Sequence, residues 1–182
     1  MFRSLNLPGY NEIDLSFPIN SIGKKLSSID PTYFHIATEG PMGIAARRWI
    51  KKNGYAFTTS YHTNLPEYSK MLYKIPESWI WNYVRWFHSP SHQVLVPTPT
   101  VINTLDSKGF QNLKLWSRGI DPSLFPQPNA DLISKNNPEA KALLYVGRVS
   151  KEKNIETLCK LSKNPDFEVW IVGDGPYKPT LE

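Results

Sequence analysis

The sequence predicts an α/β protein built on parallel strands with helices on both sides. Three observations carry that prediction. Short β-rich runs alternate with helical segments along the 182 residues. Prolines at 122, 126, 128 and 138 interrupt the alternation once. Beyond them, Ala142–Gly147 is almost wholly apolar, the pattern of a strand covered on both faces.

The elements follow in order. Asn11–Phe17 alternates apolar and polar residues and reads as a strand. Asn20–Ser28 reads as a short helix with Asn20 or Ser21 as its N-cap. Tyr33–Thr38 is a short β-rich run. Pro41–Asn53 is helical, with Pro41 in the first turn, where its missing N–H costs least, and Gly54 as the stop. Tyr55–Tyr61 reads as a strand. Asn64–Tyr73 and Glu77–His88 read as helices divided by Pro76. Gln93–Pro97 is a strand, Thr100–Ser107 a helix stopped by Gly109, and Leu113–Trp116 a strand. After Ala142–Gly147, Glu152–Lys163 is helical and Glu168–Val172 is a second buried strand, with another helix starting near Pro179.

This divides the chain into residues 1–120, a connection over 121–138, and residues 139–182. The last unit, two strands and one helix, is too small to bury a full α/β core. The chain therefore reads as a fragment of a longer protein. A single cysteine, Cys159, excludes an internal disulfide framework. No stretch approaches the ~20 apolar residues that span a bilayer, and the N-terminus lacks the apolar core of a signal peptide.

The net charge of +5 is uneven. Residues 1–121 hold 13 Lys+Arg and 8 Asp+Glu, whereas residues 122–182 hold 8 of each. A basic half suits a phosphorylated substrate or an anionic lipid surface, and it equally describes a mildly positive soluble face. No Lys/Arg run exceeds two residues, so nucleic acid is not an expected partner.

Chemistry concentrates at strand ends. In LLYVGRVSKEKN, residues 143–154, the strand closes at Gly147, Arg148 projects from the loop, and Lys151 and Lys153 flank the expected helix start. A guanidinium can fork onto a phosphate and an ammonium can add a point charge. Open α/β sheets bind ligands at such carboxyl ends. A surface loop with solvated cations has the same residues. In VWIVGDGP, residues 169–176, Gly173, Asp174 and Gly175 form a second glycine-rich strand end, expected beside the first. In TTSYHTNLPEY, residues 58–68, His62 stands just past a strand and can reach into a cleft or be satisfied by loop backbone. In HIATEGPMG, residues 35–43, Glu39 and Gly40 precede a helix. Glu39 can bind a polyol hydroxyl or favour the helix N-terminus.

Other features carry less. His88 and His92 have the spacing of a helical zinc pair, but Pro90 separates them and no suitable carboxylate follows, so no metal is expected. Trp79, Ile80, Tyr83, Val84, Trp86 and Phe87 form an apolar face at helical spacing, read first as core and second as a membrane-surface patch.

The segments TEGPMG, SYHT, RGID, VGRVSKEKN and VGDGP, in that order, resemble the retaining glycosyltransferases of family 4. That group includes α-mannosyltransferases acting on phosphatidylinositol lipids and sulfoquinovosyldiacylglycerol synthases. The resemblance runs from about Leu7 to the end. It implies a GT-B fold: most of an N-terminal Rossmann-like domain on the acceptor side, then the start of a C-terminal Rossmann-like domain that holds the nucleotide sugar. It implies that Arg148 and Lys153 grip the donor diphosphate, that His62 faces the donor sugar near the reacting carbon, and that Gly173–Gly175 lies beside the nucleotide.

The implied reaction moves a sugar from a nucleotide diphosphate sugar, GDP-mannose among the candidates, to a lipid or glycan hydroxyl with retention. No cofactor or metal is implied. The implied location is cytoplasmic, peripheral to the inner membrane face where the acceptor is a lipid. The family's first strand with its glycine-rich loop, and its paired glutamates, have no counterpart between residues 1 and 182, so little or no activity is expected of this chain alone. The competing expectation is a non-catalytic, partner-binding remnant. A dehydrogenase is disfavoured because no GxGxxG follows the first strand.

Overall fold

The computed structural model describes residues 3–7, 10–17, 22–117, 119–125 and 139–181. Two compact units divide at Gly119 and Ile120. The proline-rich stretch from residue 126 to 138 and the two candidate caps at 20 and 21 lie outside the described residues.

The first unit opens with an antiparallel hairpin, β1 (Arg3–Leu7) and β2 (Tyr10–Phe17). The sequence reading found the second strand and missed the first. Helix α1 (Ile22–Ile29) follows. A four-stranded parallel sheet is then assembled in the order β3 (His35–Ile36), β4 (Thr58–Ser60), β5 (Gln93–Val96), β6 (Leu113–Leu115). Between the strands come α2 (Pro41–Lys52), α3 (Leu65–Tyr73), α4 (Glu77–His88) and α5 (Pro99–Ser107). Proline occupies the first turn of α2, α3 and α5, where φ is already helical and no N–H is lost. Thr98 caps α5 by accepting from the Val101 N–H at 3.3 Å.

Register decides which side chains share a face. Ile36 pairs with Thr59, Thr59 with Val94, and Val94 with Leu113. Strand alternation puts these on one side, with Phe34, Phe57, Tyr61 and Val96. The core lies on that side. One cluster gathers Tyr61, Val84, Val94, Val96, Leu105 and Phe110, and the other Phe34, Ile36, Ile50, Phe57 and Phe87. Val84 and Phe87 of α4, fully buried, belong to one cluster each, so this helix ties the two together. Its Trp79 and Trp86 are exposed, so the apolar face expected of α4 is split between core and surface. The opposite side of the sheet bears His35, Thr58, Ser60 and Lys114. Among the described residues neither buried hydrophobic cluster lies there, although Ser60 on that side is buried.

The second unit holds a parallel pair, β7 (Lys141–Val146) and β8 (Phe167–Val172), with α6 (Glu156–Leu161) and a closing turn of helix, α7 (Lys178–Leu181). Both strands were expected to be covered on both faces, and they are not. Leu144 and Val146 are 66% and 70% exposed, and Trp170 and Val172 are also exposed. The register pairs Leu144 with Trp170 and Val146 with Val172, so all four stand on one face. A two-stranded sheet with a single short helix between its strands has too little material to cover both sides. The expected helix over Glu152–Lys163 is also shorter. Lys151–Lys153 is one 3-10 turn, Asn154 takes a left-handed φ of 51°, and the α-helix begins only at Glu156.

Candidate functional site

The second unit brings its two glycine-bearing strand ends together. The Gly147 N–H bonds the Val172 carbonyl at 3.0 Å, and the Val149 N–H bonds the Asp174 carbonyl at 2.9 Å. The Tyr177 N–H returns to the Val149 carbonyl at 3.1 Å. The approach is too close for side chains. A Cβ on Gly173 would stand 1.8 Å from the Gly147 carbonyl oxygen, and one on Gly175 would stand 2.2 Å from that of Val149. The glycines are therefore demanded by the meeting of the two loops as well as by any ligand.

Arg148 sits half-buried between these contacts, its carbonyl accepting from the Tyr145 hydroxyl at 2.8 Å. Val149 and Ser150 are buried and anchor the loop from below. The Ser150 hydroxyl donates to Glu152 at 2.6 Å. Lys153 is exposed at the end of the 3-10 turn, so its position comes from that turn and the left-handed Asn154 rather than from a helix N-terminus. Asp174 is exposed and its Oδ1 accepts from the Gly175 N–H at 2.9 Å, a local turn contact.

In the first unit His62 is exposed two residues past β4, its ring 6.1 Å from that of Trp116, which directly follows β6. His35 is 6.5 Å from the same indole. Its Nδ1 bonds the Thr58 hydroxyl and its Nε2 the Ser60 hydroxyl, both at 2.8 Å. Burial, and secondarily the neighbouring His62, hold the His35 imidazole below the usual histidine range, favouring its neutral form. His35 and Trp116 were not singled out from sequence. The alternation that places residues 58, 60 and 62 on one side of a strand was visible, but the strand register that adds His35 and Trp116 was not.

Glu39 and Gly40 follow β3. Gly40 is the N-cap of α2, with no side-chain cap. The Glu39 carboxylate is buried and turned inward, its Oε1 3.1 Å from His88 Nε2. That leaves the backbone at Gly40, rather than the carboxylate, as the part of this segment open to a ligand. His88 is 1% exposed and also bonds the Thr59 hydroxyl through Nδ1 at 2.8 Å. His92, its supposed partner in spacing, is exposed. Among the described residues no three metal-ligating side chains gather, and no helix is long and apolar enough to cross a membrane.

Parallel strands alternating with helices define an α/β chain. Comparison with known proteins names its family. The model of glycosyltransferase family 4 matches residues 2–124, a span that closely follows the first unit, and the chain belongs to that family. Its fold is α/β of the GT-B type. The chain is 29% identical to a sulfoquinovosyl transferase of Arabidopsis thaliana, with 99% of this chain and 38% of the relative covered. It is 26% identical to a GDP-mannose-dependent α-mannosyltransferase of Corynebacterium glutamicum, covering 98% and 45%. It is 26% identical to an α-monoglucosyldiacylglycerol synthase of Acholeplasma laidlawii, covering 87% and 46%. The chain thus spans less than half the length of these relatives.

Proposed function

We propose that this chain supplies part of a retaining glycosyltransferase that moves a hexosyl group from a nucleotide diphosphate sugar to a hydroxyl of a lipid or glycan. The observation that carries the reading is the interlocked pair of glycine loops with Arg148 between them. They bring two strand-end loops together beside Arg148, a guanidinium of the type that can fork onto a diphosphate. Relatives named for GDP-mannose make that donor the first to try. In the step itself the bond from the anomeric carbon to the diphosphate breaks and a bond to the acceptor oxygen forms on the same face. The acceptor proton leaves toward the departing phosphate. Arg148 and Lys153 offset the charge that builds on the diphosphate, and no metal is needed for that role. Gly173–Gly175 lies against the nucleotide, His62 faces the sugar, and the backbone at Gly40 meets the acceptor side.

One relative named for diacylglycerol glycosylation, together with the basic excess of the first unit, favours a lipid acceptor and a peripheral seat on an anionic, cytoplasmic membrane face. The open apolar face of β7 and β8 favours a second reading, a non-catalytic chain that binds a partner.

Calorimetric titration of the chain with GDP-mannose, UDP-glucose and UDP-sulfoquinovose separates the readings. The first expects one donor to bind and Arg148→Ala to weaken it at least tenfold, the scale of one lost charge-assisted contact. Absence of binding across the panel removes the donor reading and leaves the second.

A further inference from the structure

Several buried polar groups of the first unit gather around His88. His88 Nε2 lies 3.1 Å from Glu39 Oε1, within hydrogen-bond reach. His88 Nδ1 reaches the Thr59 hydroxyl of β4 at 2.8 Å. Ser91 lies 3.2 Å from that hydroxyl and donates to the His88 carbonyl at 2.7 Å. Tyr83 donates to the Glu39 carbonyl. Arg47 of α2 donates to the Phe87 and Trp86 carbonyls at 2.9 and 2.8 Å, tying the end of α4 to α2. Glu39, Arg47, Thr59, His88 and Ser91 are all buried. A polar set of this size inside a core is costly unless every member is bonded, and removing one member strands the others. Its members come from four places: the loop leaving β3, helix α2, the strand β4 that leads to His62, and α4 with the residues just after it.

We propose that His88 and Glu39 are positioning residues: through Thr59 they clamp together the chain segments that leave β3 and β4, and so set where Gly40 and His62 stand. The purpose of the clamp rests on the glycosyltransferase reading; the clamp itself does not, and it is tested without any donor.

Hydrogen exchange of single amides reads it directly. The Tyr61 N–H, bonded to the Leu95 carbonyl at 2.9 Å, reports the end of β4. The Ile44 N–H, bonded to the Gly40 carbonyl at 3.0 Å, reports the segment after β3. The Trp116 N–H, bonded to the Val96 carbonyl at 2.8 Å, serves as reference. His88→Phe keeps a planar aromatic ring, slightly larger than imidazole, and removes both bonds. It is expected to cut protection about tenfold at Tyr61 and Ile44 while sparing Trp116, the scale of one lost buried hydrogen bond. His88→Gln retains a donor for Glu39 and is expected to restore Ile44. Thr59→Val keeps the β-branched shape and is expected to lower Tyr61 alone, which serves the test even if His88→Phe does not fold. Equal loss at all three amides would make His88 a packing residue and overturn the clamp, as would unchanged protection at Tyr61 in Thr59→Val. A clamp confirmed in a chain that binds none of the nucleotide sugars would stand, with only its proposed purpose removed.

Discussion

The two parallel sheets of this molecule are built from similar strands and finished differently. In the first unit a row of residues on one face is sealed by helices into two clusters that meet at α4, and Glu39, His88 and Thr59, caught inside, are bonded to one another. In the second unit the apolar row Leu144, Val146, Trp170 and Val172 is open, and what holds the strand ends together is backbone meeting backbone through Gly147, Gly173 and Gly175. The difference teaches that apolar content and burial are separate matters. Cover requires neighbouring elements, and among the described residues the first unit has five α-helices where the second has one short α-helix between its strands and one closing turn.

The contrast can be broken by mutation. Phe87→Ala in the first unit removes a fully buried ring and is expected to destabilise that unit by about 3–5 kcal/mol. Urea unfolding followed by far-ultraviolet dichroism checks it, and a loss below about 1 kcal/mol would show that the cluster collapses around the gap. Gly173→Ala in the second unit sets a methyl against a carbonyl that cannot retreat. The expected loss is about 1–3 kcal/mol, confined to the second unit and read from Trp170 fluorescence.

At high pH the first unit should yield first. Burial, then the Glu39 charge, raises the Tyr83 phenol to about 12, with Arg47 opposing, and burial raises Tyr61 as well. The unfolded chain therefore loses these protons before the folded one does. The stability they contribute is present below pH ~10 and is lost as pH climbs from there toward 12. Thermal melts across that window check the slope, and Tyr83→Phe should flatten part of it. Leu144→Lys, on the open face, should change stability by no more than about 0.5 kcal/mol while lowering the binding of a hydrophobic dye. A large destabilisation there would mean the face is covered in solution.

The smallest effect belongs to His35. Its folded pKa is depressed, so the unfolded state binds protons first and stability declines as pH falls through about 6.5. His35→Gln should shallow that decline slightly, as read in melts between pH 7 and 5.

Most helix boundaries were legible because their signals are local: Pro41 and Gly54 around α2, Pro76 before α4, and Gly109 after α5. The parallel pairing followed from alternation of strands and helices. β1 was missed because Arg-Ser-Leu-Asn-Leu has no β-branched or aromatic residue, and only pairing with β2 holds it extended. The start of α6 was misplaced because Lys, Glu and Lys favour a helix, while Asn154 adopts a left-handed turn that Asn tolerates well. At the candidate site, Arg148, Lys153 and the glycines could be found in short motifs. His88 was noticed for its spacing from His92, whereas its real partners are Glu39 and Thr59, 49 and 29 residues away in sequence. No local pattern encodes such a pairing.

The meeting of Gly147 with Gly173 has a consequence for engineering. Gly173 has no room for a side chain beside the Gly147 carbonyl, so a substitution there would have to move the other loop. On the proposed donor reading, a change of preference in this unit would come most freely from Lys153, which is exposed, whereas the Asp174 carboxylate holds the Gly175 N–H of the seam itself.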